Sequence, residues 1–194
     1  MSIPASTEPR RFLITAGWLL AAVLLVALRL LHMAGPLDDP HSWRQCDTVH
    51  YSLDFYRHGI NLLSPAVCWL GPHRTLIFEF PLPEAMSALL YRLFGPDPLW
   101  DRAVSLAFFV VATVYLFAFV RLIAGRRVAW LSTIAYLAFP LGQYYSRAAQ
   151  VDFAATAFAH ALLFHLAHGI VRRSPAHAGE HRQGADVPPR QLGY

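Results

Sequence analysis

The sequence predicts an all-α membrane protein with about four transmembrane helices and a large extracytoplasmic first loop that contains juxtamembrane helices. Three observations carry that reading: a surplus of apolar residues, four long runs almost free of charge, and arginines gathered at alternate ends of those runs. Apolar residues make up 56% of the 194 and charged ones only 14%. That is more apolar surface than one soluble core can hide, so the surplus faces lipid. All 16 basic residues are Arg, and the formal charge of +4 persists across physiological pH. Its scatter over short flanks excludes a nucleic-acid patch.

Four segments approach the roughly 20 apolar residues that a helix needs to cross the hydrocarbon: 12–33, 103–120, 128–146 and 153–171. Arg29 is the charge inside them. It lies near the outer end of the first run, where a guanidinium can snorkel to the headgroups. That first run is longer than a signal-peptide core and no small-x-small cleavage site follows it, which predicts a retained signal-anchor helix. Orientation follows from the short flanks. Arg10 and Arg11, then Arg121, Arg126 and Arg127, then Arg172 and Arg173 mark three cytoplasmic ends by the positive-inside rule.

The expected organisation is therefore a cytoplasmic N-terminal tail at 1–11, a membrane domain at 12–171 with an extracytoplasmic loop at 35–102, and a cytoplasmic tail at 172–194. Pro, Gly, His and Gln without apolar periodicity predict disorder in that tail. The expected location is the cell inner (plasma) membrane, multi-pass, with both termini cytoplasmic.

The first loop holds 8 of the 12 acidic residues. Residues 47–58 place Val49, Leu53, Tyr56 and Ile60 on one helical stripe, which predicts a short helix lying on the membrane surface with Asp47, Tyr51 and Asp54 on another face. Leu82–Phe94 is apolar but too short to span, and it carries Glu84 and Arg92. Pro81 and Pro83 mark its start and Gly95-Pro96 its end, so it reads as a re-entrant or interfacial helix. Cys46 and Cys68 both fall in the loop, where an oxidising compartment could join them; two separate thiols is the alternative.

Asp38, Asp39, His41, Trp43, Arg44 and Asp47 crowd into ten residues. An acid there can serve as a general base and an Arg can hold a phosphate, while a solvated loop with an interfacial Trp explains the same composition. Glu79 sits between two phenylalanines and before Pro81, where a carboxylate can ligate a metal or complement a helix dipole. Arg147 and Asp152 bracket the turn into the last span, as a functional boundary pair or as an ion pair that pins the turn. His165 and His168 share a helix face, a weak metal signal beside His160; packed neutral histidines are the stronger reading.

The stretch HSWRQCDTVHYSLDFYRHGINLLSP, followed by FEFPLPEAMSALLYRLFG, resembles the amino-terminal part of polytopic glycosyltransferases of the GT-C type. The similarity is to the branch that holds protein O-mannosyltransferases and the lipid A aminoarabinose transferase, over roughly Leu13 to Gly169. The resemblance implies a transferase that moves a sugar from a polyprenyl-phosphate carrier to an acceptor hydroxyl on the extracytoplasmic side. In that family the first loop begins with an Asp-Glu pair and a Tyr four residues after the Asp; here these read Asp47, Thr48 and Tyr51.

Asp47 thereby takes the role of catalytic carboxylate, and Arg44, Tyr51, Arg147 and Asp152 are the expected donor- and phosphate-binding residues. The Glu-Lys-Pro motif reads Glu79, Phe80 and Pro81, which makes Glu79 the expected contact for a divalent metal ion and leaves out the lysine. The expected partners are the polyprenyl-phosphate-linked sugar, the lipid bilayer and a missing second half or partner subunit, with no nucleic acid. Because the resemblance reaches only about the first third of a usual member, a truncated enzyme is expected. A non-catalytic membrane partner of a larger transferase, or a small transporter built on Asp152 and the histidines, are the alternatives.

Overall fold

The computed structural model describes the backbone of residues 7–31, 33–37, 42–67, 69, 75 and 79–183, with side chains inside those ranges from Phe12 to Arg172. Among the described residues six α-helices follow one another: α1 Thr7–Ala27, α2 Ser42–His58, α3 Leu82–Phe94, α4 Pro98–Ala138, α5 Pro140–Tyr145 and α6 Asp152–Gln183. A 3-10 turn at Leu28–Leu30 extends α1. Among the described residues the β-type pairing is a single bridge between Ala66 and Thr75. The fold class is thus all-α, as expected from the sequence.

Among the described residues three helical stretches are long and apolar enough to cross a membrane: Phe12–Leu30, Pro98–Ala138 and Asp152–Arg172. The second is 41 residues long and would measure about 60 Å if straight, twice a bilayer's hydrocarbon thickness. It folds back instead. Gly125 has φ +83° and ψ 172° inside it, a conformation that only glycine adopts without strain. Beyond that point the rings of Phe117 and Trp130 lie 4.7 Å apart and those of Phe109 and Tyr136 stack at 5.3 Å. The two arms, 98–124 and 126–138, form an antiparallel hairpin with Arg121, Arg126 and Arg127 around its tip.

The second arm, expected to run unbroken through residue 146, stops early. Phe139 is extended (φ −61°, ψ 123°) because the ring of Pro140 disfavours helical geometry in the residue before it. Helix resumes as α5, and the freed carbonyl of Leu137 accepts from Gln143 Nε2 at 2.8 Å, as backbone groups at membrane depth require. α6 then packs along the first arm of α4 through Phe108–Phe158, Phe109–Phe153 and Tyr115–Phe164. His160 joins them, its Nδ1–H donating to the Ala112 carbonyl at 3.0 Å, while His165 and His168 lie against Tyr115 and Phe164. The α6 backbone remains helical to Gln183, into the segment expected to be tail; residues 184–194 lie outside the described ones.

Arg29 corrects the sequence reading. It does not snorkel: it is fully buried where α1, α4 and the turn after α5 meet. Its Nε donates to Ser146 Oγ at 2.7 Å and Nη2 to the Leu137 carbonyl at 2.8 Å, with the guanidinium 4.2 Å from the Phe109 ring centroid. Five N–H donors and a cation–π face let one side chain satisfy the broken third pass. Arg102, also buried, ties the end of the first span to α4 through the carbonyls of Met33, Gly35 and Pro36.

Candidate functional site

The polar site is built on α2. Helix ends explain its extent: Gly59, at φ +100°, stops the helix after His58, its N–H donating to the Phe55 carbonyl at 3.1 Å. The stripe expected to meet the membrane, Val49, Leu53 and Tyr56, is only half-buried, and Ile60 lies beyond the helix. The buried stripe is instead Gln45, Thr48, Ser52 and Phe55. Small residues of α3, Ala85 and Ala88, let α2 approach closely around Phe55, and Asp101 at the start of α4 accepts from Ser52 Oγ and from Tyr91 Oη. Polar partners across the junction offset the cost of burying polar side chains, which apolar periodicity does not reveal.

On the same helix Asp47 is 7% exposed and accepts from Trp69 Nε1 at 3.3 Å. Tyr51, one turn on, is buried beside it. Burial and the surrounding carboxylates of Asp47 and Glu84 push the Tyr51 phenol up to about 12, so it stays a neutral donor. Arg44, one turn before Asp47, forms an ion pair with Glu79. The sequence-predicted residues Arg44, Asp47, Tyr51 and Glu79 are thus brought into one electrostatic neighbourhood.

Arg44 also reaches a cleft of about 610 Å³ between the start of α2, the broken third pass and α6. Trp43, Arg44, Gln150 and Asp152 supply its polar and aromatic rim; Phe139, Leu141 and Phe153 supply its apolar wall. The exposed rings and chains of Phe139 and Leu141 exist because the helix breaks at Pro140. Asp152 and Arg44 thus line the same cleft. Arg147 does not line it: its Nη1 donates to the Leu31 carbonyl at 2.8 Å and its guanidinium sits over the Tyr144 ring, so it does not form the ion pair with Asp152 that would pin the turn.

Among the described residues no three His, Cys, Asp or Glu side chains come together as a metal-ion site. Glu79, the expected metal contact, is paired with Arg44, and Asp47 with Trp69; this donor set does not fit a divalent ion, which needs several convergent oxygens. Cys46 is an exposed thiol. Asp38, Asp39, His41 and Cys68 lie outside the described residues.

Sequence reasoning missed two members of the neighbourhood. Gln45, fully buried, accepts from the Ala149 N–H at 3.1 Å and so fastens α2 to the turn before α6. Glu84 is 2% exposed with Oε2 unpartnered. From the sequence it served only as a charge that, with Arg92, argued against α3 spanning the membrane. Its one available signal was an acid on the inward face of an otherwise apolar helix.

Helices long and apolar enough to cross a membrane, with an acid and an arginine lining a cleft among them, define an all-α membrane protein with a polar-rimmed cleft. A family model described as dolichyl-phosphate-mannose-protein mannosyltransferase matches residues 79–177, just over half of the chain, and the chain belongs to that family. The matched stretch contains Glu79, Glu84, Arg147 and Asp152 and follows Arg44, Asp47 and Tyr51 in the chain. No curated protein and no solved structure gives a match.

Proposed function

We propose that the chain transfers a sugar from a polyprenyl-phosphate carrier to an acceptor hydroxyl on the extracytoplasmic side of the inner membrane. The observation that carries this reading is that α2 presents two groups one turn apart. Arg44 lies at the rim of an apolar-walled cleft, and Asp47 lies in a buried, hydrogen-bonded setting behind it. The family description, which names dolichyl-phosphate-mannose, supports a lipid-phosphate sugar as the donor.

In this reading the isoprenoid end lies against Phe139, Leu141 and Phe153, and the phosphate meets Arg44, which exchanges Glu79 for the stronger, bidentate phosphate contact. Asp47 takes the proton of the acceptor hydroxyl as its oxygen attacks the anomeric carbon; the bond from that carbon to the phosphate oxygen breaks, and Arg44 stabilises the charge on the departing phosphate. A single displacement inverts the anomeric centre. Tyr51 holds the Asp47 side of the site as a neutral donor, Asp152 orients sugar hydroxyls from the far rim, and Arg147 keeps the end of the first span in place beneath them.

Photo-crosslinking tests the donor assignment. A polyprenyl-phosphate sugar with a photoreactive group in its first isoprene should label the 136–156 segment. Arg44→Ala should cut that labelling about tenfold, the loss of a charge-assisted contact. Labelling that is indifferent to Arg44 contradicts the assignment.

A further inference from the structure

The junction behind Arg44 buries three carboxyl groups together: Asp47 at 7%, Glu84 at 2% and Asp101 at 4% exposure. Asp101 is held by Ser52, Ser87 and Tyr91, and Asp47 by Trp69. Glu84 differs from both. One of its oxygens is met by its own backbone N–H, and the other, Oε2, is buried without a partner. A carboxylate left half-solvated in this way is costly, whereas the protonated acid carries no net charge to desolvate.

We propose that Glu84 is a proton-operated gate on the anion corner formed by Arg44: neutral, it leaves Arg44 to an incoming phosphate; ionised, it sets another negative charge against that phosphate. The inference rests on the phosphate-binding reading above and adds to it a residue and a regulation. The groups that face Glu84 are Arg44 and Tyr51 from α2, with Asp47 on the far side of Tyr51, Glu79 from the segment before α3, and Asp101 from α4. Burial pushes the Asp101 carboxyl up as well, but Ser52, Ser87 and Tyr91 donate to it, whereas Glu84 Oε2 has no donor, so Glu84 is the acid in the junction whose ionised form lacks partners.

Burial, with Asp101 and Glu79 nearby, pushes the Glu84 carboxyl up to about 7, which places the change of charge near neutral pH. The sign is fixed by charge alone. Below that value Glu84 is neutral and the corner has its full attraction for an anion; above it, the added carboxylate weakens that attraction. Glu84→Gln keeps the shape and the neutral state at every pH.

The test is binding of a polyprenyl-phosphate mannose, a phosphodiester whose charge is constant in this range, to the full chain in lipid nanodiscs. Binding is measured about one pH unit either side of neutral. Wild type is expected to bind about fivefold more weakly at the alkaline end, the effect of one added charge at intermediate dielectric. E84Q is expected to bind equally at both, and like wild type at the acid end. A wild-type pH dependence in E84Q overturns the gate and leaves the Arg44 corner standing. Failure of wild type to bind at either pH overturns the corner and the gate with it. A second readout needs no binding: wild type should show an infrared band from a protonated carboxyl that fades across neutral pH and is missing in E84Q. A spectrum without such a titrating band overturns the inference.

Discussion

Single side chains decide more of this structure than its composition suggests. Arg29 is the clearest case. A charge inside an apolar run reads as an anchor that reaches for water, yet here the break at Pro140 exposes acceptors that a buried guanidinium can serve. Replacing Arg29 with Met should therefore destabilise the chain by about 1–3 kcal/mol, the cost of taking the buried donor from Ser146 Oγ while the Leu137 carbonyl keeps only Gln143. Thermal unfolding in detergent would show it as a lowered midpoint, and an unchanged midpoint would mean the guanidinium is dispensable. Arg44, Asp47 and Glu79 were legible as site candidates from their order in the loop and the family resemblance. Glu84 and Gln45 were not, because what distinguishes them is the tertiary neighbour each one finds, and local sequence does not encode it.

At the scale of elements, punctuation was easier to read than orientation. Pro81, Pro83 and Gly95 bound α3 at Leu82–Phe94, the limits expected from the sequence. For α2 the end at His58 was as expected, but the helix begins at Ser42 rather than Asp47, and its buried face is a polar stripe because α3 and Asp101 offer partners. The junction carries its own pH signature. The Glu84 carboxyl lies at about 7 in the folded chain against an ordinary 4.5, so between those values the folded state holds a proton that the unfolded chain releases. Stability is then full below about 4.5 and falls by about 3 kcal/mol as pH rises to 7. Chemical unfolding across that range should show the decline in wild type and its absence in Glu84→Gln; equal declines would place the proton elsewhere. The hairpin tip offers a separate test. Gly125 has open space where a Cβ would go, so Gly125→Ala should cost about 1–3 kcal/mol through backbone conformation alone, read as a lowered unfolding midpoint.

For the whole molecule, the pattern of apolar runs gave the all-α membrane class, and the turn at Gly125 divides its longest helix between two of the four expected passes. What the runs do not give is the cleft. It arises because the third pass breaks at Phe139-Pro140 and α2 folds over the gap, pinned by Gln45 to Ala149. The proposed reading puts this end of the bundle outside the cytoplasm, and the exposed Cys46 thiol makes that checkable. A membrane-impermeant maleimide should label Cys46 in right-side-out vesicles without lysis. Labelling that requires permeabilisation would invert the topology and put the site on the cytoplasmic face.

The most direct test of the account is sugar transfer itself. It is measured in membranes that contain this chain with a radiolabelled polyprenyl-phosphate sugar pool, wild type against Asp47→Asn at equal protein level. The account predicts incorporation by the wild type and a loss on the order of a thousandfold in the variant, the usual scale for removal of a general base, with donor binding retained. Incorporation that proceeds unchanged in Asp47→Asn would contradict it.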